Sequence, residues 1–121
     1  MNDKREYGDY QTPEYFSLAV CEYLKNEKQV TPTIIIEPTC GTGSFVKSSL
    51  IFNVSEVIGI EVNSEYCEIC KKNILDPRVH IINADFFTFD FQTVVKGKES
   101  LLILGNPPWV NNSTLSSLNS D

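Results

Sequence analysis

No stretch of this 121-residue sequence approaches the ~18 consecutive apolar residues that a membrane helix needs. The opening Met1-Asn2-Asp3-Lys4-Arg5-Glu6 has no apolar core behind it, so no secretory signal is visible. Basic residues are scarce. Ten Lys and Arg stand against sixteen Asp and Glu, a net charge of −6. A domain that grips nucleic acid through its own surface is usually basic, so any such role here is local or supplied by something else. His80 is the single histidine, and no second cysteine pair accompanies Cys67-Glu68-Ile69-Cys70. Four zinc ligands are therefore not assembled, and the pair reads as reduced cysteines on one helix face. With 41% hydrophobic and 21% charged residues, the composition excludes disordered, fibrous and secreted-scaffold classes. A single soluble, cytoplasmic domain remains.

The apolar pattern alternates strands with helices. Thr12-Pro13 reads as a cap with proline at the first helical position, ahead of a helix reaching about residues 26–28. Residues 33–37, 57–61, 79–83 and 101–104 read as four buried strands, β-branched or continuously apolar. Helices are expected over about 44–50 and, capped by Asn63, from there to about Ile74. Residues 86–100, with Phe86, Phe87, Phe89 and Phe91, fit loop, short helix or both, and 110–121 reads as a flexible Ser/Asn-rich tail. This order predicts an α/β fold with right-handed crossovers and a parallel sheet.

Ligands of such sheets bind beyond the carboxyl ends of the strands. Here the strands end in Glu37-Pro38, Glu61, Asp85 and Asn106-Pro107-Pro108-Trp109. Gly41-Thr42-Gly43 opens a helix after the first strand. No Lys-Ser/Thr follows at P-loop spacing, and Val46 stands where a dinucleotide fingerprint has its third glycine. Glu61, 18 positions past Gly43, suits the hydroxyls of a ribose. Asp85-Phe86 pairs an acceptor for an exocyclic amine with an aromatic wall. Two prolines after a buried strand fix a rigid loop. That loop aims the Asn106 oxygen and the Pro107 carbonyl at one point, which suits an NH₂ group. Trp109 adds the stacking face that a flipped base requires.

Glu37-Pro38-Thr39-Cys40-Gly41-Thr42-Gly43-Ser44-Phe45 followed by Asn106-Pro107-Pro108-Trp109 resembles the S-adenosyl-L-methionine-dependent N6-adenine-specific DNA methyltransferases of restriction–modification systems. Tyr7-Gly8-Asp9-Tyr10-Gln11-Thr12-Pro13 resembles the segment that those enzymes place before the Gly-rich motif. The resemblance implies a Rossmann-like class I methyltransferase fold, with residues 1–121 forming a partial domain. The family's seven-stranded sheet would be truncated after its fourth strand, and its target-recognition domain would be absent. It implies that Thr12, Pro13, Glu37, Pro38, Cys40, Gly41, Gly43 and Phe45 surround the methionine part of the cofactor. Glu61 and Val62 would hold its ribose, and Asp85 and Phe86 its adenine. Asn106, Pro107, Pro108 and Trp109 would handle the target base.

The same resemblance places DNA contacts in missing or separate parts. It also exposes the fourth strand, which would pair with a second copy or a complementary chain. No cysteine follows a proline, so the nucleophile of cytosine-C5 methylation is missing, and cytosine-N4 enzymes usually carry Ser in place of Asn106. Protein-glutamine and RNA-guanine methyltransferases share Asn-Pro-Pro-aromatic loops and are the nearest enzyme alternatives. A non-catalytic cofactor-binding or association fragment is the alternative outside enzymes.

Overall fold

Ile34-Ile35-Ile36-Glu37 form β1 (Ile34–Glu37), a strand buried along its whole length. A strand with apolar side chains on both faces belongs in the middle of a covered parallel sheet, and β1 takes that place. The computed structural model describes residues 11–95, 97 and 100–106. Within them, β2 (Glu56–Glu61), β3 (Val79–Asn83) and β4 (Leu101–Ile103) join β1 in the order β3-β2-β1-β4. All three pairings are parallel, with Ile36 opposite both Ile58 and Ile103. Tyr7–Tyr10, the Pro107-Pro108-Trp109 loop and the 110–121 tail lie outside the described residues.

Alternation along β1 divides the core in two. Ile35 points into a cluster with Cys21, Cys40, Phe45, Val46, Phe52, Val57, Cys70 and Ile74. The helices α1 (Glu14–Glu22), α2 (Ser44–Ser48) and α3 (Ser64–Asn73) supply that side. Ile34 and Ile36 point the other way, to Ile58 and Ile60. No helix covers this second cluster among the described residues. Phe89, Phe91, Val94 and Val95 do so from the segment before β4. Asp90 caps a short 3₁₀ turn there (Phe91–Thr93), and Phe89 meets Phe91 edge to face at 5.1 Å. Residues 86–95 thus form an aromatic loop with one short turn.

α1 begins one residue later than the sequence suggested. Pro13, with φ −63° and ψ 141°, occupies the cap position, and its carbonyl accepts from the amides of Phe16 and Ser17. Thr12 therefore lies outside the helix and its hydroxyl is not a cap. The helix continues as a π turn (Tyr23–Glu27) and ends before Gln29, which has φ 54°. Asn63 caps α3 as expected, accepting from the Tyr66 amide at 3.0 Å. None of the helices among the described residues is long and apolar enough to cross a membrane.

A buried polar knot joins α1 to α2. Ser17, fully buried, hydrogen-bonds the hydroxyls of Ser44 at 2.7 Å and Ser48 at 2.8 Å. It also donates toward the Glu14 carbonyl at 3.1 Å. Removing one member strands the others, and a buried unsatisfied polar group costs more than the mean hydrogen bond. Ser17→Ala is expected to lower unfolding free energy by about 1–2 kcal/mol, read from urea denaturation. A loss below a few tenths of a kcal/mol would show that Ser44 and Ser48 find partners elsewhere.

Candidate cofactor and catalytic site

β1 is flanked by β2 on one side and β4 on the other, so the chain order reverses at β1–β4. A crevice beyond the carboxyl ends of the strands at this switch point is where an open α/β sheet binds ligands. Three segments open there: the Gly41–Gly43 loop after β1, Glu61 at the end of β2, and Gly105-Asn106 after β4. Asn83, at the end of β3, ties that strand to β2 by donating to the Glu61 and Val62 carbonyls at 2.9 and 3.0 Å.

Glu61 is the clamp of the Gly-rich loop. One carboxylate oxygen accepts from the Gly41 amide at 2.7 Å, and the other from the Asn63 amide at 2.9 Å. A carboxylate has about four lone-pair sites, so each oxygen keeps capacity for a ligand hydroxyl. Gly41 has φ 57° and Gly43 φ 100°, backbone shapes that side chains resist. Gln11 crosses the loop, its side-chain oxygen accepting from the Thr42 amide at 2.9 Å and the Thr42 hydroxyl at 3.1 Å. A Cβ on Gly41 would come within 2.5 Å of that oxygen. The sequence placed Gln11 in the leading segment without a role. Only the fold, which brings residue 11 over residue 42, reveals one.

Glu37 is buried at the base of the crevice, 3% exposed. It accepts from the Thr39 amide at 2.7 Å. Gly105 leaves room for it: a Cβ there would lie 2.6 Å from the Glu37 carboxylate. Burial pushes the Glu37 carboxyl up to about 7, with the Thr39 hydrogen bonds pulling down and the nearby Glu61 charge pushing up.

The remaining expected residues divide into exposed and buried. Asp85 is exposed and accepts from the Phe87 amide at 2.9 Å. Phe86 is exposed, its ring centroid 6.0 Å from that of Phe91, and Val62 is exposed too. Cys40 and Phe45 are buried in the first core cluster, beneath the loop. Phe45 meets Phe16 edge to face at 6.4 Å. Asn106 is exposed, and its side-chain nitrogen donates to the Thr12 hydroxyl at 3.3 Å. Pro107, Pro108 and Trp109 lie outside the described residues.

The cysteines pair differently from their spacing. Cys67 donates to the Glu61 carbonyl at 3.3 Å, whereas Cys70 donates to the Gly41 carbonyl at 3.1 Å. Cys70 hydrogen-bonds Cys40, and that bond together with burial holds the Cys40 thiol well above its ordinary range. All four cysteines are buried, free thiols.

No protein-family model matches the chain. Among curated proteins it is 37% identical to the type II methyltransferase M.NspV of Nostoc, over 98% of this chain and 26% of that protein. It is 31% identical to the type II methyltransferase M.CvrRI of a Paramecium bursaria Chlorella virus, over 93% of this chain and 27% of that protein. It is 28% identical to the modification methylase CviBIII of another such virus, over 88% and 27%. The chain thus spans about a quarter of the length of the curated relatives it matches. A proposed RNA methyltransferase of Pyrococcus horikoshii superposes with TM-score 0.65 at 19% identity, over 82% of this chain and 48% of that one. Trm5 of Methanocaldococcus jannaschii, solved with adenosine, gives 0.60 at 19%, over 90% and 32%. These likenesses show a Rossmann-like methyltransferase fold, in agreement with the sequence-based expectation.

The raised Glu37 carboxyl has a thermodynamic consequence. In the fold it keeps its proton up to about pH 7, against an ordinary value of 4.5. Folding therefore takes up a proton between those values, and stability falls as pH rises through that window. Glu37→Gln removes this term. Its stability relative to the unsubstituted chain is expected to increase from pH 5 to pH 8, read from chemical denaturation at each pH. A constant difference would mean that Glu37 ionises normally in the fold.

Proposed function

We propose that this chain, a homologue of the type II methyltransferases over a quarter of their length, holds the S-adenosyl-L-methionine site and the catalytic asparagine of an enzyme that methylates the N6 amine of adenine in DNA. The observation that carries the reading is the convergence at one switch point of the Glu61-clamped Gly loop, buried Glu37 and Asn106. The residues fit the cofactor. Glu61 retains lone pairs for ribose hydroxyls beside the Gly loop, which Gln11 braces through Thr42. Asp85 and Phe86 serve the adenine. The cofactor supplies an electrophilic methyl group on a sulfonium.

The amine of adenine is a weak nucleophile because its lone pair is delocalised into the ring. The Asn106 oxygen and the Pro107 carbonyl each accept one N–H, which favours a pyramidal nitrogen. So held, its lone pair would face the methyl group that the cofactor supplies. The N–C bond would form as the methyl–sulfur bond breaks, leaving a neutral thioether, and the surplus amine proton would pass to solvent. Orientation carries much of the acceleration, and no covalent enzyme intermediate is needed. Trp109 stacks on the displaced base. The type II and modification relatives favour DNA over the glutamine or RNA-guanine acceptors that similar loops serve. With a net charge of −6, the grip on the DNA backbone lies in other parts of the whole enzyme.

Calorimetric titration with S-adenosylhomocysteine tests the cofactor site. Glu61→Ala is expected to weaken binding by about 1.5–3 kcal/mol, the size of hydrogen bonds to a charged group. Unchanged affinity would remove Glu61 from the site. The chain alone is expected to transfer little or no methyl to adenine-containing DNA, and robust transfer would show that the remaining length of the relatives is dispensable for chemistry.

The exposed edge strand supports a second element of the reading. Leu101 and Ile103 of β4 are 39% and 60% exposed at the end of the described sheet. For the chain on its own, a second copy pairs there. Light scattering is expected to show mass rising with concentration. A constant monomer mass at high concentration would remove this element.

A further inference from the structure

We infer that Thr12 is a positioning residue for Asn106: its hydroxyl accepts from the Asn106 side-chain nitrogen and so turns the carboxamide oxygen toward the acceptor amine. The inference rests on the role proposed above for Asn106. A carboxamide has a donor end and an acceptor end. An exposed asparagine samples both, because side chains at the surface change rotamer in picoseconds to nanoseconds. Asn106 is exposed at the end of β4, so its carboxamide is open to solvent unless a partner holds it. The 3.3 Å bond to Thr12, a residue 94 positions away, supplies one.

Three features make Thr12 a firm support. It stands before Pro13, which confines its backbone to extended shapes. Pro13 is anchored to α1, because its carbonyl accepts the Phe16 and Ser17 amides. Gln11, on the other side, is anchored to the Gly-rich loop by two hydrogen bonds from Thr42. The hydroxyl is thus held between a helix start and the cofactor loop, and it is not spent on capping α1. Residues 11–13 form a strap across the switch point, with Gln11 on the loop after β1 and Thr12 on the residue after β4. Through it the geometry of the cofactor loop and the orientation of the reactive asparagine become one mechanical unit.

The experiment reads the carboxamide itself, in the free chain, without cofactor or DNA. Solvent exchange of the Asn106 side-chain N–H protons is measured by ¹⁵N-resolved NMR in the unsubstituted chain, Thr12→Val and Thr12→Ser. One Asn106 N–H is expected to be protected in the unsubstituted chain. In Thr12→Val it is expected to exchange about 2- to 10-fold faster, the equilibrium factor of a net hydrogen bond. Thr12→Ser, which keeps the hydroxyl, is expected to retain the protection. A backbone spectrum confirms that each variant is folded. An unprotected Asn106 NH₂ in the unsubstituted chain would overturn the proposal, since the hydroxyl would then donate to the oxygen and consume the acceptor. So would protection that survives Thr12→Val. Failure here is distinct from failure of the methyltransferase reading, which the S-adenosylhomocysteine titration decides separately.

Discussion

The parallel pairing of β1 with β2 on one edge and β4 on the other is the constraint on which the rest depends. Its register sets Glu37 opposite Gly59 and Ile36 opposite Ile103. The chain leaving β1 and the chain leaving β4 therefore emerge side by side. Glycine at position 105 lets the Glu37 carboxylate press against the start of the second loop. Nothing in either loop alone would bring Asn106 to the Gly-rich turn. The hydrogen bond from the Leu104 amide to the Ile36 carbonyl at 3.0 Å carries the pairing to the mouth of the crevice.

Glu61 is the second support, and it joins local to long-range order. Its carboxylate fixes the Gly41 amide and the Asn63 amide, one across strands and one within its own turn. The Cys70 thiol reaches the Gly41 carbonyl from below, while Gln11 reaches the neighbouring Thr42 from above. A loop with two glycines at positive φ would lose much conformational entropy on ordering. Three side chains from three distant segments offset that loss, so the loop is held in shape by the fold and not by its own sequence.

The strands were legible because a parallel sheet covered on both faces demands continuous apolar runs, and Ile34-Ile35-Ile36 and Val57-Ile58-Gly59-Ile60 are such runs. The acids at their ends were legible from position. Residues 86–95 were less so: Phe87, Phe89 and Phe91 alternate as in a strand, yet the segment makes a short 3₁₀ turn, and Phe89 and Phe91 find their place only against a sheet face made elsewhere. The CxxC pair was legible as reduced cysteines on one helix, but not its partners: the loop after β1 sets Cys40 against Cys70, while Cys67 turns to a β2 carbonyl. Threonine before proline commonly marks a helix cap. Pro13 takes the cap position itself, and the freed hydroxyl meets a residue that only the β1–β4 pairing brings near.

In the proposed function, charge would give the site its selectivity. The ionisable groups at the carboxyl ends of these strands are acids: Glu37, Glu61 and, after β3, Asp85. Two of them lie close enough that the Glu61 charge raises the Glu37 carboxyl, so an added anion would meet repulsion in a partly desolvated crevice. A cation would meet the reverse: its arrival favours the ionised form of Glu37 and offsets the cost of burying that charge. S-Adenosylmethionine carries an ammonium and a sulfonium beside a single carboxylate. The acidity that disqualifies this surface as a DNA grip is thus the property that suits it to a cationic cofactor. In the proposed function, the cofactor would approach along the carboxylate-lined strand ends and the polyanion from the Asn106 side.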